Sequence, residues 1–215
     1  MFSTEKEEKA VEIYEKQCMV PVRSMIANSI LSGCRIASKI NEDPSNFALP
    51  KSAYFNTACT LGFIANKVLV HLIDDDNFSG VLYSEPKRGH GRPCIEYQSN
   101  GITFQLKKEN NVKKLPPKAN YRVEQSADNQ MILNFGEDYG PIPLYMIVTY
   151  NHKKFMLDYV QIGVPKEDYS DWLQRWNLMP YIQEEQVEYI IKNYSSQLKE
   201  EYQEQIDKKY NISLK

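Results

Sequence analysis

The sequence predicts an α+β protein, a single domain over residues 1–215 with helices at both ends and an antiparallel sheet of about six strands between them. Three observations carry this reading. Apolar residues recur at steps of three and four through residues 1–76 and again through 168–208, the spacing of one helix face. From 81 to 164 they instead alternate with polar residues or run in short blocks bounded by turn residues, as strands do. At the centre lies Pro93–Lys108, PCIEYQSNGITFQLKK, where period-2 alternation flanks Asn100-Gly101, a pair that accepts the positive φ of a tight hairpin.

The elements follow in order. Thr4 and Glu7 fit a capping box, and Val11, Ile13, Tyr14 and Cys18 form the short apolar stripe of a first helix. A second helix is expected over residues 21–40, with Pro21 in its first turn, where a missing N–H costs nothing. Its Ser29, Ser32, Gly33 and Ala37 are small enough to admit another helix closely. A third, largely apolar helix runs from about Ala53 to Ile73 and meets the acidic run Asp74-Asp75-Asp76, whose spacing does not suit a calcium loop. Strands are expected at Val81–Ser84, Pro93–Gln98, Ile102–Lys107, Leu144–Tyr150 and Phe155–Val164, the last two turning at Asn151–Lys154. Tyr121–Glu124 and Met131–Phe135, on either side of Asp128-Asn129, read as a further hairpin. Short connections throughout predict an antiparallel meander of six or seven strands and no βαβ unit. Trp172, Leu173 and Trp176 are expected on a helix capped by Asp168 or Ser170, before a last helix from about Glu184 to Lys208.

Composition narrows the function. A chain of 215 residues with 42% hydrophobic and 25% charged residues is of ordinary globular make-up. A net charge of -2 excludes a uniformly basic nucleic-acid binder and leaves local patches open. Cys18, Cys34, Cys59 and Cys94 are widely spaced, as are His71, His90 and His152, so reduced thiols are expected and no metal or cofactor site. The N-terminus has no apolar core of a signal peptide, and no apolar run approaches the ~20 residues of a membrane span. These features predict a soluble, cytoplasmic protein, of the kind found among bacterial or phage accessory proteins.

Charge is uneven. Between Glu85 and Arg122 stand nine Lys or Arg against three acids, a local excess of +6 that leaves -8 on the rest of the chain. Lys87, Arg88 and Arg92 fall on one predicted loop, with Gly89 and Gly91; Lys107, Lys108, Lys113 and Lys114 fall on the next. Clustered cations of this kind bind phosphates by releasing counterions, so contact with nucleic acid is the leading expectation. The alternative is a protein–protein interaction module or homo-oligomer built on the last helix, where Leu198, Tyr202 and Ile206 continue an apolar stripe. A third reading rests on Glu96 and Gln105-x-Lys107. Many metal-dependent nucleases place an acid on one strand and an acid-x-Lys pair on the next, and Gln occurs in some variants of that pattern. Against it stand the missing second carboxylate, the absence of a helix after these strands, and the ordinariness of a cross-strand Glu–Lys pair. Asp158, within a strand, and the Trp172/Trp176 pair complete the candidates.

Overall fold

The computed structural model describes residues 4–42, 57–75, 81–84, 95–99, 101–135 and 143–210, without the side chains of 40–41, 57–60, 130–135, 202–203 and 205–210. Helices α1 (Glu5–Gln17), α2 (Val20–Glu42) and α3 (Thr57–Asp74) precede strands β1 (Val81–Ser84), β2 (Glu96–Ser99) and β3 (Ile102–Lys108). Helix α4 (Asn120–Phe135) follows, then β4 (Leu144–Lys153), β5 (Met156–Pro165), β6 (Trp172–Asn177), a 3₁₀ turn at Met179–Tyr181 and α5 (Glu184–Tyr210). The expected α+β class and six-stranded sheet are present.

The strands lie in sequence order, β1 to β6, and every neighbouring pair is antiparallel except β3 and β4, which are parallel. The sheet is therefore mixed, not the antiparallel meander expected. Parallel neighbours need a crossover of a dozen or more residues, and α4 supplies it in place of the hairpin read at Tyr121–Phe135. The periodicity of α4 was hidden because, among its described side chains, the buried positions are polar: Ser126 and Asn129 are fully covered, and Gln125 half-covered. A second correction concerns Trp172 and Trp176, which lie on β6 and not on a helix. The ladder shifts between Val164 and Pro165, so Trp172 opposes Pro165 while Trp176 opposes Ile162. That shift sends the two indoles to opposite faces: Trp172 packs with Tyr145 and Ile147, Trp176 stacks on Tyr14 of α1 at 3.9 Å.

The main core lies between the sheet and α2, α3 and α5. Alternate residues of β3, β4 and β5 (Phe104, Met146, Val148, Ile162) meet Ile26, Ile30, Leu69 and Ile191 there. As expected, the small residues of α2 admit α3 closely: a Cβ at Gly33 would lie 3.0 Å from the Ala65 Cα. Thr4 caps α1, accepting from the Glu7 N–H at 3.3 Å while the Glu7 carboxylate accepts from the Thr4 N–H at 2.7 Å. The α1–α2 corner is pinned by Arg23, which donates to the Cys18 carbonyl at 2.5 Å, the Tyr181 hydroxyl at 2.9 Å and the Glu15 carboxylate at 2.8 Å, beneath the Tyr14 ring. Cys18 and Cys34 are buried free thiols, and burial pushes both up to about 12.

Helix α5 carries Val187, Ile190, Ile191, Tyr194 and Leu198 into the core. Its Tyr194 hydroxyl donates to Asp75, and Glu201 lies 2.8 Å from His71 Nε2 and 3.3 Å from Lys67 Nζ, so the polar residues of α3 and α5 interlock as well. Among the described residues, no helix is long and apolar enough to cross a membrane.

Candidate functional site

The opposite face of the sheet is polar. Alternation puts Thr103, Gln105 and Lys107 of β3, Thr149 of β4 and Gln161 of β5 on the side away from the main core. Among the described residues a small apolar cluster, Tyr145, Ile147, Tyr169 and Trp172 with Leu115 and Val123, sits with them. Buried polar groups require partners, and here α4 and the connection before it provide them. Asn129 of α4 makes two hydrogen bonds to the backbone of Tyr145: its Nδ2 donates to the carbonyl at 2.9 Å and its Oδ1 accepts from the N–H at 2.8 Å.

The reason lies in the ladder. Leu144 N–H donates to Gly101 O on the β3 side, so the next residue, Tyr145, turns its backbone groups toward β5. Continuing the register from Ile147↔Gly163 would bring it opposite Pro165, which has no N–H. The β4–β5 ladder stops at Ile147↔Gly163, and beyond it the Asn129 carboxamide bonds both backbone groups of Tyr145.

The connection 109–119 is fastened to the same face. Tyr159 donates its hydroxyl to Glu109 O at 2.5 Å, Gln161 donates to Val112 O at 2.8 Å, and Tyr169 donates to Pro116 O at 3.0 Å. Arg175 donates to Val112 O as well, and Arg122 to Pro117 O. Burial pushes the Tyr159 phenol up to about 12, so it remains a donor at neutral pH. Within the loop Asn111 accepts the Lys113 N–H at 2.9 Å, closing an Asx turn that sets Lys113 and Lys114 outward. Both lysines are exposed and in no ion pair among the described residues. Beside them an open depression of about 460 Å³ is lined by Lys113, Gln161, Gln174, Arg175 and Asn177.

The predicted basic residues are thus only partly brought together. Lys107 and Lys108, half-buried at the end of β3, point to opposite faces by strand alternation. Lys107 joins the polar face, whereas Lys108 lies on the side of Cys34 and His152, whose ionisation it influences. Lys113 and Lys114 share the fastened loop with exposed Lys118, and half-buried Arg122 follows in the first turn of α4. Lys87, Arg88 and Arg92 lie outside the described residues. Arg175, adjoining the loop through its bond to Val112, was not singled out from sequence, because nothing marked β6 as a strand beside it.

Glu96 and Gln105 do sit side by side on β2 and β3, and α4 supplies the helix thought to be missing after these strands. Glu96 is buried, and its Oε1 accepts Gln105 Nε2 at 2.8 Å and Gln125 Nε2 from α4 at 2.9 Å. Two N–H groups aimed at one carboxylate oxygen satisfy an anion, whereas a divalent cation needs several oxygen ligands turned toward it. No group of three or more His, Cys, Asp or Glu comes together among the described residues. Asp158 is exposed, beside Asn151 at 3.3 Å and Lys153 at 3.9 Å. Leu198, expected at an interface, is fully covered by its own chain; the side chains of Tyr202 and Ile206 lie outside the described residues.

No family model matches the chain, and neither the curated proteins nor the solved structures contain a significant match.

Proposed function

We propose that this protein contacts nucleic acid on the side of the sheet covered by α4, with the connection between β3 and α4 as the phosphate-binding element. The observation that carries the reading is the fastening of that connection. Five hydrogen bonds to its main-chain carbonyls, from Tyr159, Gln161, Tyr169, Arg175 and Arg122, hold a short segment whose outward side chains include Lys113, Lys114 and Lys118. Cations on a fixed backbone lose less freedom on binding than cations on a mobile loop, so more of the phosphate attraction appears as affinity. Arg175 and the carboxamides of Gln174 and Asn177 extend the same surface across the neighbouring depression. Lys87, Arg88 and Arg92 belong to the proposal from the sequence alone.

Fluorescence anisotropy with duplex DNA, single-stranded DNA and RNA at two salt concentrations tests it. Lys113→Glu with Lys114→Glu is expected to weaken binding to all sequences alike and to reduce the slope of log K against log salt by about 2. No binding at low salt, or affinity untouched by the double substitution, would overturn the proposal. The same samples incubated with Mg²⁺ examine the nuclease reading. Cleavage that disappears in Glu96→Ala and Lys107→Ala would show that the amides around Glu96 turn over to admit a metal.

A further inference from the structure

Where the first turns of α2, the end of α3 and the start of α5 diverge, they leave a cavity of about 350 Å³, far from the basic loop's face of the sheet. Its walls are apolar, with Met25 from α2, Leu72 from α3 and Ile190 from α5. Val20 and Tyr189 stand at its mouth, 54% and 50% exposed. Their exposure leaves the mouth of the cavity apolar.

The polar groups inside are more specific. Ser24 and Asn28, one helical turn apart on α2, line the cavity and are only 6% and 3% exposed. Asn28 Oδ1 accepts the Gln183 N–H at 2.8 Å, which ties the start of α5 to α2 and fixes the orientation of the amide. Its remaining donors are therefore the two hydrogens on Nδ2, and these make no hydrogen bond among the described residues. The Ser24 hydroxyl makes none either, in contrast to Ser29 on the same helix, which donates back to the Met25 carbonyl at 2.7 Å. Neither Asn28 Nδ2 nor Ser24 Oγ is among the fully buried polar atoms of the described residues that lack a partner, so both donors open onto the cavity, where a guest or water can accept from them. Among the described residues no charged side chain lines the cavity, and the other polar residues, Gln183 and Gln186, are uncharged.

We infer that this cavity binds a small uncharged molecule with a compact apolar body and a carbonyl acceptor, the carbonyl received by Asn28 Nδ2 and the Ser24 hydroxyl. The volume falls in the range of small-ligand pockets. An ionised ligand would lose its hydration with no opposite charge to replace it, which confines the class to neutral compounds. The acceptor-hungry donors lie behind the apolar rim, so the occupant enters the cavity instead of resting across it as a protein surface would.

Acetanilide serves as the probe, with benzoate and benzylammonium as charged counterparts of similar size, read by the methyl NMR signals of Val20, Met25, Leu72 and Ile190 in the whole chain. Acetanilide is expected to shift these signals saturably, with a Kd of roughly millimolar as suits so small a ligand, and the two ions are not. Ser24→Ala, which deletes one donor, should weaken binding about fivefold. Ser24→Met, which fills the space, should abolish it; if that variant does not fold, Ser24→Ala still decides. Absence of saturable shifts, equal binding of benzoate, or an affinity unchanged in Ser24→Ala would overturn the inference.

Discussion

Replacing Asn129 by alanine tests whether a side chain can stand in for a strand. Asn129 is 1% exposed, and its carboxamide makes both hydrogen bonds that a neighbouring strand would have made to Tyr145, at 2.9 and 2.8 Å. Alanine removes the acceptor of the buried Tyr145 N–H and a donor to the Tyr145 carbonyl. Each lost bond costs about 1–3 kcal/mol, so the loss is about 2–6 kcal/mol, reduced if a water enters the vacated space. For a protein of this size that corresponds to a fall in Tm of roughly 5–15 °C. Alanine itself favours the helix slightly, so propensity cannot produce the loss. Urea unfolding followed by circular dichroism measures it, with Asp128→Ala, an exposed neighbour on α4, as the control expected to change stability by less than about 0.5 kcal/mol. Asn129→Asp keeps an acceptor but removes the donor, and should be no better than alanine. A loss below about 1 kcal/mol in Asn129→Ala, or one equal to the control, would refute the idea that this amide completes the ladder.

Other substitutions probe the features around it. A Cβ at Gly163 would lie 2.7 Å from the Trp172 ring and 2.8 Å from the Gln174 carbonyl, so Gly163→Ala should destabilise by about 2 kcal/mol in calorimetry; an unchanged Tm would show that β6 yields freely. The β4–β5 turn places Lys154 at φ 48 and Phe155 at φ 63, a conformation asparagine tolerates better than lysine, so Lys154→Asn should stabilise by about 0.5 kcal/mol. Phe155→Gly would relieve the same strain but delete a ring that stacks on His152 at 5.5 Å, and should be a net loss on urea unfolding. Burial, and then the nearby Lys108, hold His152 below its ordinary pKa. The unfolded chain therefore binds a proton first, so this group's contribution is present above about pH 6.5 and is lost as pH falls below it. Wild type should lose more stability between pH 7 and 5 than His152→Asn does; equal losses would remove His152 from the account.

Much of the helical frame was legible in the sequence because its forces are local. The Thr4–Glu7 box, the small residues Ser29 and Gly33, and the stripe Val187–Leu198 each announce a helix or its packing from neighbours within a few positions. The hairpin at Gly101, φ 82, is equally local, since few other residues accept that backbone. The polar face of the sheet was decided otherwise. Helix α4 buries Ser126 and Asn129 against polar strands, so the hydrophobic period that betrays a helix is absent, and the sequence showed two apolar runs around an apparent turn. The spacing of Trp172 and Trp176 suits one face of a helix and one face of a strand alike; only the shifted ladder at Pro165 separates them. Glu96 illustrates the same limit: its pairing with Gln105 was visible from strand register, but Gln125, 29 residues away, arrives through the crossover. The basic character of residues 107–122 was a property of the sequence alone. Holding their loop against Tyr159, Gln161 and Tyr169 was decided by the tertiary structure, because those donors, two on β5 and one in the turn after it, lie some 50 positions further along the chain. Local propensity writes itself into adjacent residues, whereas the satisfaction of a buried polar group depends on what the whole fold brings opposite it.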